Sequence, residues 1–268
     1  MTAIGRMVRR GLGAIAAALA VLLAGAAAAA DAPLVAAAAD LRFALSEIAE
    51  RFRRDTGAAV RLVFGSSGNF ARQIRQGAPF AVFLSADEAY VFDLARDGFT
   101  EDEGTLYGIG RIVLTVPRGS PLALDGTLDD LARAIRDGRL RRFAIADPEH
   151  APYGKRAEEA LRSKGIWEAI RPFLVYGENV AQAAQFATSG NAQGGIVAYA
   201  LALSPQLESL AGHALIPAAW HAPLRQRMVR LRGAGPVADR FYGYLQEEPA
   251  RAIFRRYGFV LPGEPVTE

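Results

Sequence analysis

The sequence predicts an α/β protein of two doubly wound lobes joined by a strand hinge, with a cleft between them. Three observations carry this. Short apolar runs of strand length alternate with segments of helical period from residue 34 onward. The alternation is interrupted by one long apolar run over 109–117 and then restarts. No Gly-, Pro- or Ser-rich linker separates the halves, so strands rather than a flexible tether are expected to join them. Lobe 1 is expected over 31–110 plus 228–268, and lobe 2 over 111–227. Open α/β sheets take ligands outside the carboxyl ends of their strands. Two such sheets facing each other put that site in the cleft.

The first strand is 34–38, Leu-Val-Ala-Ala-Ala, and a helix follows over 41–54. There Phe43, Leu45, Ile48, Ala49 and Phe52 recur at helical spacing. Gly57 closes it, since glycine takes a left-handed cap without steric cost. Strand 60–64 leads to helix 69–76, and strand 80–85 to helix 87–97. This repetition implies a parallel sheet with helices on both faces. The run 109–117 reads as one longer strand. The second series is helix 128–136, strand 142–146, helix 154–164, strand 173–176, helix 180–188 and strand 194–199. A late strand over 228–231 and two helices, 236–245 and 249–257, are expected to return to the first lobe.

Residues 1–30 have the order of an export signal: basic Arg6, Arg9 and Arg10, an apolar stretch from Gly11, then Ala28-Ala29-Ala30 before Asp31. A transmembrane anchor is the alternative if the alanines count towards a span. Small residues at the end of the stretch favour cleavage. The whole chain carries a net charge of +3, and removing the three arginines of 1–30 leaves 28 basic against 28 acidic side chains. That balance gives no electrostatic case for nucleic acid or membrane binding. The absence of cysteine excludes disulfides, thiolate metal sites and a lipid-modified cysteine tether. A monomer released into the periplasm, of about 238 residues, is the expected product.

The most informative stretch is 62–76. An apolar run ends in Gly65-Ser66-Ser67-Gly68-Asn69, and a helical pattern starts at once. Such a turn offers unbonded N–H groups, two hydroxyls and the positive end of a helix dipole, which together form a socket for an anion. The same residues would also serve as an ordinary N-cap. Three other strand-to-helix junctions have similar character: Ala39-Asp40, Asp147-Pro-Glu-His-Ala-Pro-Tyr-Gly154 and Gly177-Glu-Asn-Val180. If all four face one cleft, helix dipoles and fixed N–H donors converge on a small anion without a buried lysine or arginine.

At this point the chain resembles a known family. The carriers are Ala36-Ala-Ala-Ala39, Gly65-Ser-Ser67 with Ala71-Arg-Gln-Ile74, and Gly77-Ala-Pro79 with Leu84-Ser-Ala-Asp87. Asp147-Pro-Glu-His150 with Pro152 and Gly154, Gly195-Ile-Val197 with Tyr199, and Phe254-Arg-Arg-Tyr-Gly-Phe259 complete the set. Over about 33–260 it resembles the periplasmic molybdate-binding proteins of bacterial ABC importers, of the type II periplasmic binding fold. The resemblance implies two lobes closing on a tetrahedral oxyanion, molybdate or tungstate, with no further cofactor and no catalysis. The partner implied is an ABC permease in the inner membrane.

The implied ligand contacts are Ser67, with Ser66 beside it, the backbone N–H groups of Tyr153 and Val180, and Tyr199. Tyr199 is displaced by one position, because Ala198 intervenes after Gly-Ile-Val. Asp40 stands where the family usually has serine. A carboxylate beside a dianion repels it and is costly to bury. Asp40 is expected to point away as an N-cap while its N–H still helps. The alternatives are pairing with Arg42 or Arg72, or a ligand other than molybdate.

Two rival readings use the same residues. Asp40, His150, Tyr153, Glu178 and Tyr199 would suit a hard metal cation if they met. Ser67 with His150 and Asp147 has the residue types of a hydrolase, but the turn lacks the spacing of a nucleophile elbow. Trp220-His221 and the basic run 225–232 read as surface or hinge elements, with Arg227 and Arg230 as candidates to face a permease.

Overall fold

The computed structural model describes residues 32–265, so the export-signal reading of 1–30 lies outside the described residues. The first lobe runs through β1 (Leu34–Ala38), a single 3₁₀ turn (Ala39–Leu41), α1 (Arg42–Thr56), β2 (Arg61–Gly65), α2 (Ser67–Arg75), β3 (Phe80–Ser85), α3 (Glu88–Arg96) and β4 (Thr105–Gly110). The second holds β5 (Ile112–Pro117), α4 (Asp129–Arg136), β6 (Phe143–Ala146), α5 (Pro152–Ser163), β7 (Leu174–Gly177), α6 (Val180–Thr188), β8 (Gly195–Ala198) and β9 (Ala211–Leu215). The chain then returns to the first lobe as β10 (Leu224–Arg230), α7 (Pro236–Tyr244) and α8 (Glu248–Arg256).

Each lobe is built on one five-stranded sheet, ordered β2-β1-β3-β10-β4 in the first and β7-β6-β8-β5-β9 in the second. β1 runs parallel to β2 and β3, and β6 parallel to β7 and β8. β10 and β5 run antiparallel to their neighbours. The sheets are therefore mixed, where the β-α repetition suggested parallel strands alone. Three parallel strands per lobe still end at the cleft, and those ends carry the polar turns.

The reading of 109–117 as one strand is corrected. Its first residues belong to β4 of the first sheet, and Ile112–Pro117 is β5 of the second. Arg111 is the crossing point, so the hinge lies inside the run, directly after Gly110. The return strand starts at Leu224, four residues before the expected 228. β9 was not foreseen. Its residues, Ala-Gly-His-Ala-Leu, give little strand signal, and pairing with β5 supplies what the sequence does not.

The first sheet is covered on both faces, and successive residues of its central strands supply both cores. In β3, Val82 and Leu84 pack with α1, α7 and α8, while Phe83 packs with α2 and α3. Phe52 of α1 meets Phe241 and Tyr244 edge-on, with ring centres at 5.1 and 5.3 Å. This packing ties the closing helices to the first sheet. The cleft-facing helix starts are capped locally. Ser66 Oγ accepts from Asn69 N, Asp87 Oδ1 from Ala89 N, and Asn179 Oδ1 from Ala181 N and Gln182 N. Pro152 opens α5, where its missing N–H costs nothing.

Candidate functional site

The carboxyl ends of β1, β2 and β3 face the starts of α5 and α6 across a small cavity of about 190 Å³ including its mouth. Asp40, Ser66, Ser67 and Ala86 line it from the first lobe, and Tyr153, Asn179 and Val180 from the second. Alanines 38, 39 and 151, Gly65 and Pro152 fill the remaining wall, so backbone stands close to the cavity. A larger groove between Phe43 and the outer side of α6 is open to solvent and shares only Asn179 with this cavity.

The lobes are closed on each other in this structure. Gly68 N donates to His150 O at 3.0 Å, Asn69 Nδ2 to Glu178 Oε1 at 3.2 Å, and Arg156 pairs with Asp87 at 3.1 Å. Each bond joins a first-lobe group to a second-lobe group, so each is formed only when the cleft is shut.

Hydrogen-bond accounting identifies the donors that remain. Ser67 is fully buried, and its Oγ accepts from Ala86 N at 3.0 Å, which leaves the hydroxyl proton without an acceptor among the described residues. Ser66 Oγ likewise accepts, from Asn69 N, and its proton has no acceptor among the described residues. In the first turns of α2, α5 and α6, the N–H groups of Gly68, Asn69, Gly154, Lys155, Ala181, Gln182 and Ala183 all have partners. Those of Ser67, Tyr153 and Val180 have none among the described residues. These three residues line the cavity. A buried N–H without a partner is rare and costly, so three around one cavity require an explanation. No lysine or arginine lines the cavity.

Asp40 is placed where the sequence reading did not put it. It caps neither the 3₁₀ turn nor α1, and neither Arg42 nor Arg72 pairs with it. The Arg42 guanidinium lies 5.5 Å over the Phe64 ring, and Arg72 bonds Asn69 Oδ1. Asp40 is instead held across the cleft. Its Oδ2 accepts from the Tyr153 hydroxyl at 3.0 Å and from Gln226 Nε2 at 2.8 Å. Gln226 Nε2 also donates to the Tyr153 oxygen at 3.0 Å, and Gln226 Oε1 accepts from Tyr107 at 2.6 Å. Asp40 Oδ1 is buried with no partner.

Burial raises the Asp40 carboxyl from its ordinary 3.8 to about 6, with Gln226, Tyr153 and then the backbone N–H groups of Asp40 and Leu41 offsetting part of that rise. Burial, and then the Asp40 charge, push both Tyr107 and Tyr153 well above the ordinary tyrosine range, so both remain donors at neutral pH. Because the folded protein holds the Asp40 proton more tightly than the unfolded chain, stability falls as pH rises from about 4 to about 6, then levels off. Asp40→Asn removes this dependence and keeps an acceptor for Tyr153. The variant is expected to gain on the unsubstituted protein by about 3 kcal/mol across that window, read from urea unfolding at pH 4 and pH 7. A constant difference between the two proteins at both pH values would mean that Asp40 does not titrate in the fold.

Tyr199 lies outside the cavity lining, as the first residue of a one-turn helix, with its ring 5.5 Å from His213. The cation reading gains nothing: among the described residues no three His, Asp or Glu side chains form a group that could hold a metal. The hydrolase reading gains nothing either: Ser67 Oγ accepts from Ala86 N, and the His150 ring sits by Asp147 at 3.8 Å. Arg227 pairs with Glu88, and Arg230 with Asp102 and Asp239. Gln226 was missed, and its signal was the alternation of Leu224, Gln226 and Met228 as fully buried residues with Arg225 and Arg227 between them.

Comparison with known proteins bears on this cavity. The family model of bacterial extracellular solute-binding proteins matches residues 33–260. The molybdate-binding protein ModA of Rhodobacter capsulatus is 36% identical over 236 residues, covering 87% of this chain and 90% of the relative. That of Escherichia coli is 34% identical over 231 residues, covering 84% and 87%. The solved periplasmic molybdate-binding protein of Azotobacter vinelandii superposes with a TM-score of 0.76 at 30% identity, covering 86% of this chain and 99% of that one.

Proposed function

This chain belongs to the bacterial extracellular solute-binding proteins, among the molybdate-binding relatives, and from that premise we propose that its cleft captures molybdate or tungstate in the periplasm. The loaded protein presents the anion to the permease of an ABC importer. One observation carries the reading: three unpartnered helix-start N–H groups, of Ser67, Tyr153 and Val180, surround one small cavity together with the Ser67 hydroxyl. Fixed neutral donors and helix dipoles stabilise an oxyanion without a buried counter-charge. Because the donors come from both lobes, the anion completes the closed state, and closure reports loading to the permease. Molybdate and sulfate carry the same charge, so cavity size and donor placement provide the selection. The protein binds its ligand and does not transform it.

Thermal melting with molybdate, tungstate, sulfate, phosphate and a panel of divalent and trivalent metals tests this. A ligand that binds only the folded state stabilises it by about 2.7 kcal/mol at a hundredfold excess over Kd. A rise in Tm with molybdate and tungstate is expected. A rise with metals alone would overturn the reading. Ser67→Ala is expected to weaken molybdate binding by about 1.5–3 kcal/mol, the range for a hydrogen bond to a charged group. Unchanged affinity by calorimetry would remove Ser67 from the site.

A further inference from the structure

Asp40 brings an acceptor to a cavity into which Ser67, Tyr153 and Val180 present unpartnered donors. Its Oδ2 is occupied by Tyr153 and Gln226, which leaves Oδ1, buried and unpartnered, as the carboxylate atom available to the cavity. A fully deprotonated oxyanion also offers only acceptors. Two acceptor oxygens in one small buried cavity repel each other unless a proton lies between them.

We propose that the cavity binds its oxyanion together with one proton, shared between Asp40 Oδ1 and an anion oxygen. The proposal rests on the oxyanion reading above and names what that ligand brings with it. The proton sits either on the carboxyl as a donor to the dianion or on the anion as a donor to the carboxylate. Both descriptions contain the same atoms and the same net charge, so binding above the Asp40 titration takes up one proton from solvent. Serine at this position would donate at any pH. Aspartate makes capture depend on proton supply.

The surroundings leave Asp40 as the titrating group. Tyr107 on β4 and Tyr153 on α5 face it, and both are held protonated. Arg42, at the start of α1, lies over Phe64. From β2 and α6 the cavity wall receives Gly65 and Val180, and Tyr199 turns to His213. In the neighbouring turns Glu178 is bonded by Asn69, and the His150 ring sits by Asp147. Arg225 and Arg227, on either side of Gln226 in β10, pair with Glu88. Arg111, buried and engaged at the crossing, acts with Arg156 on His221.

The test is a calorimetric titration of the protein with sodium molybdate from pH 6.5 to pH 9, in buffers of different ionisation heat. Because Asp40 titrates at about 6, affinity is expected to fall about tenfold per pH unit over the upper part of this range. Proton uptake approaches one per anion there, a readout that needs no variant. Asp40→Asn supplies an N–H donor at every pH, so its affinity is expected to be flat and to exceed that of the unsubstituted protein at pH 9. His150→Gln is expected to keep the slope. A flat profile with no proton uptake in the unsubstituted protein overturns the proposal, and so does a slope that persists in Asp40→Asn. Absence of molybdate binding at every pH overturns the oxyanion reading itself, and this inference with it.

Discussion

Gly68→Ala is expected to weaken molybdate binding about a hundredfold while leaving each lobe folded. Gly68 sits in the first turn of α2, and its N–H bonds His150 O across the cleft at 3.0 Å. A methyl group there would stand 2.7 Å from that carbonyl oxygen, 3.1 Å from His150 Cα and 3.0 Å from the Tyr90 hydroxyl. Tyr90 can swing away, because the contact is with the end of a side chain. His150 cannot, because its turn is held by Ala151 N bonding Asp147 O at 2.9 Å. The strain is therefore relieved by parting the lobes.

Overpacking of this kind costs about 1–3 kcal/mol, and the lost interlobe hydrogen bond adds about 1 kcal/mol. Both terms act on the closed state alone, so they appear in affinity rather than in the stability of the open form. Calorimetry gives the affinity, and small-angle scattering shows whether the variant still contracts on adding molybdate. Full affinity with full contraction would mean that α2 and the His150 turn do not meet in the loaded protein.

Much of the site is written locally in the sequence. The N-cap residues Ser66 and Asn179, Pro152 at the start of α5 and the Gly-Ser-Ser-Gly turn are short-range signals, and the structure places each at a helix start on the cleft. A donor is legible because it belongs to one turn. The network around Asp40 is not, because its members come from positions 40, 107, 153 and 226. A sequence reading finds a nearby arginine for a carboxylate, and Arg42 and Arg72 were the obvious choices. The fold supplies instead a tyrosine from the opposite lobe and a glutamine from the last strand. β10 was cut short for the same reason: Gln226 is a polar residue at a position whose period calls for an apolar one, and only its three partners make burial tolerable. The hinge escaped because the break at Gly110-Arg111 is short and the apolar pattern resumes at once, so two stretches that belong to different sheets read as one strand.

Gly110→Ala is expected to destabilise the closed protein by about 3–5 kcal/mol at pH 8, and by clearly less at pH 5. Gly110 ends β4 opposite Leu224 of β10, with Gln226 two residues further on. An added Cβ would lie 2.3 Å from the Tyr153 hydroxyl and 2.6 Å from Gln226 Nε2, the two groups that bond Asp40 Oδ2. Backbone strain plays no part, because Gly110 is not among the residues of positive φ. Neither displaced group can stay in place, so the substitution strips Asp40 of both donors while the carboxylate remains buried. Removing the partner of a buried charge costs about 3–5 kcal/mol. At pH 5 the carboxyl is already largely neutral, since it titrates at about 6, and the loss is reduced to that of neutral hydrogen bonds, about 1 kcal/mol each. Urea unfolding at the two pH values measures the difference. Combining Gly110→Ala with Asp40→Asn separates charge from sterics. If the charge carries the effect, the double variant loses less at pH 8 than the two single changes predict together. Equal losses at pH 5 and pH 8, carried unchanged into the Asp40→Asn background, would assign the whole effect to crowding at the end of β4 and leave the Asp40 network without energetic weight.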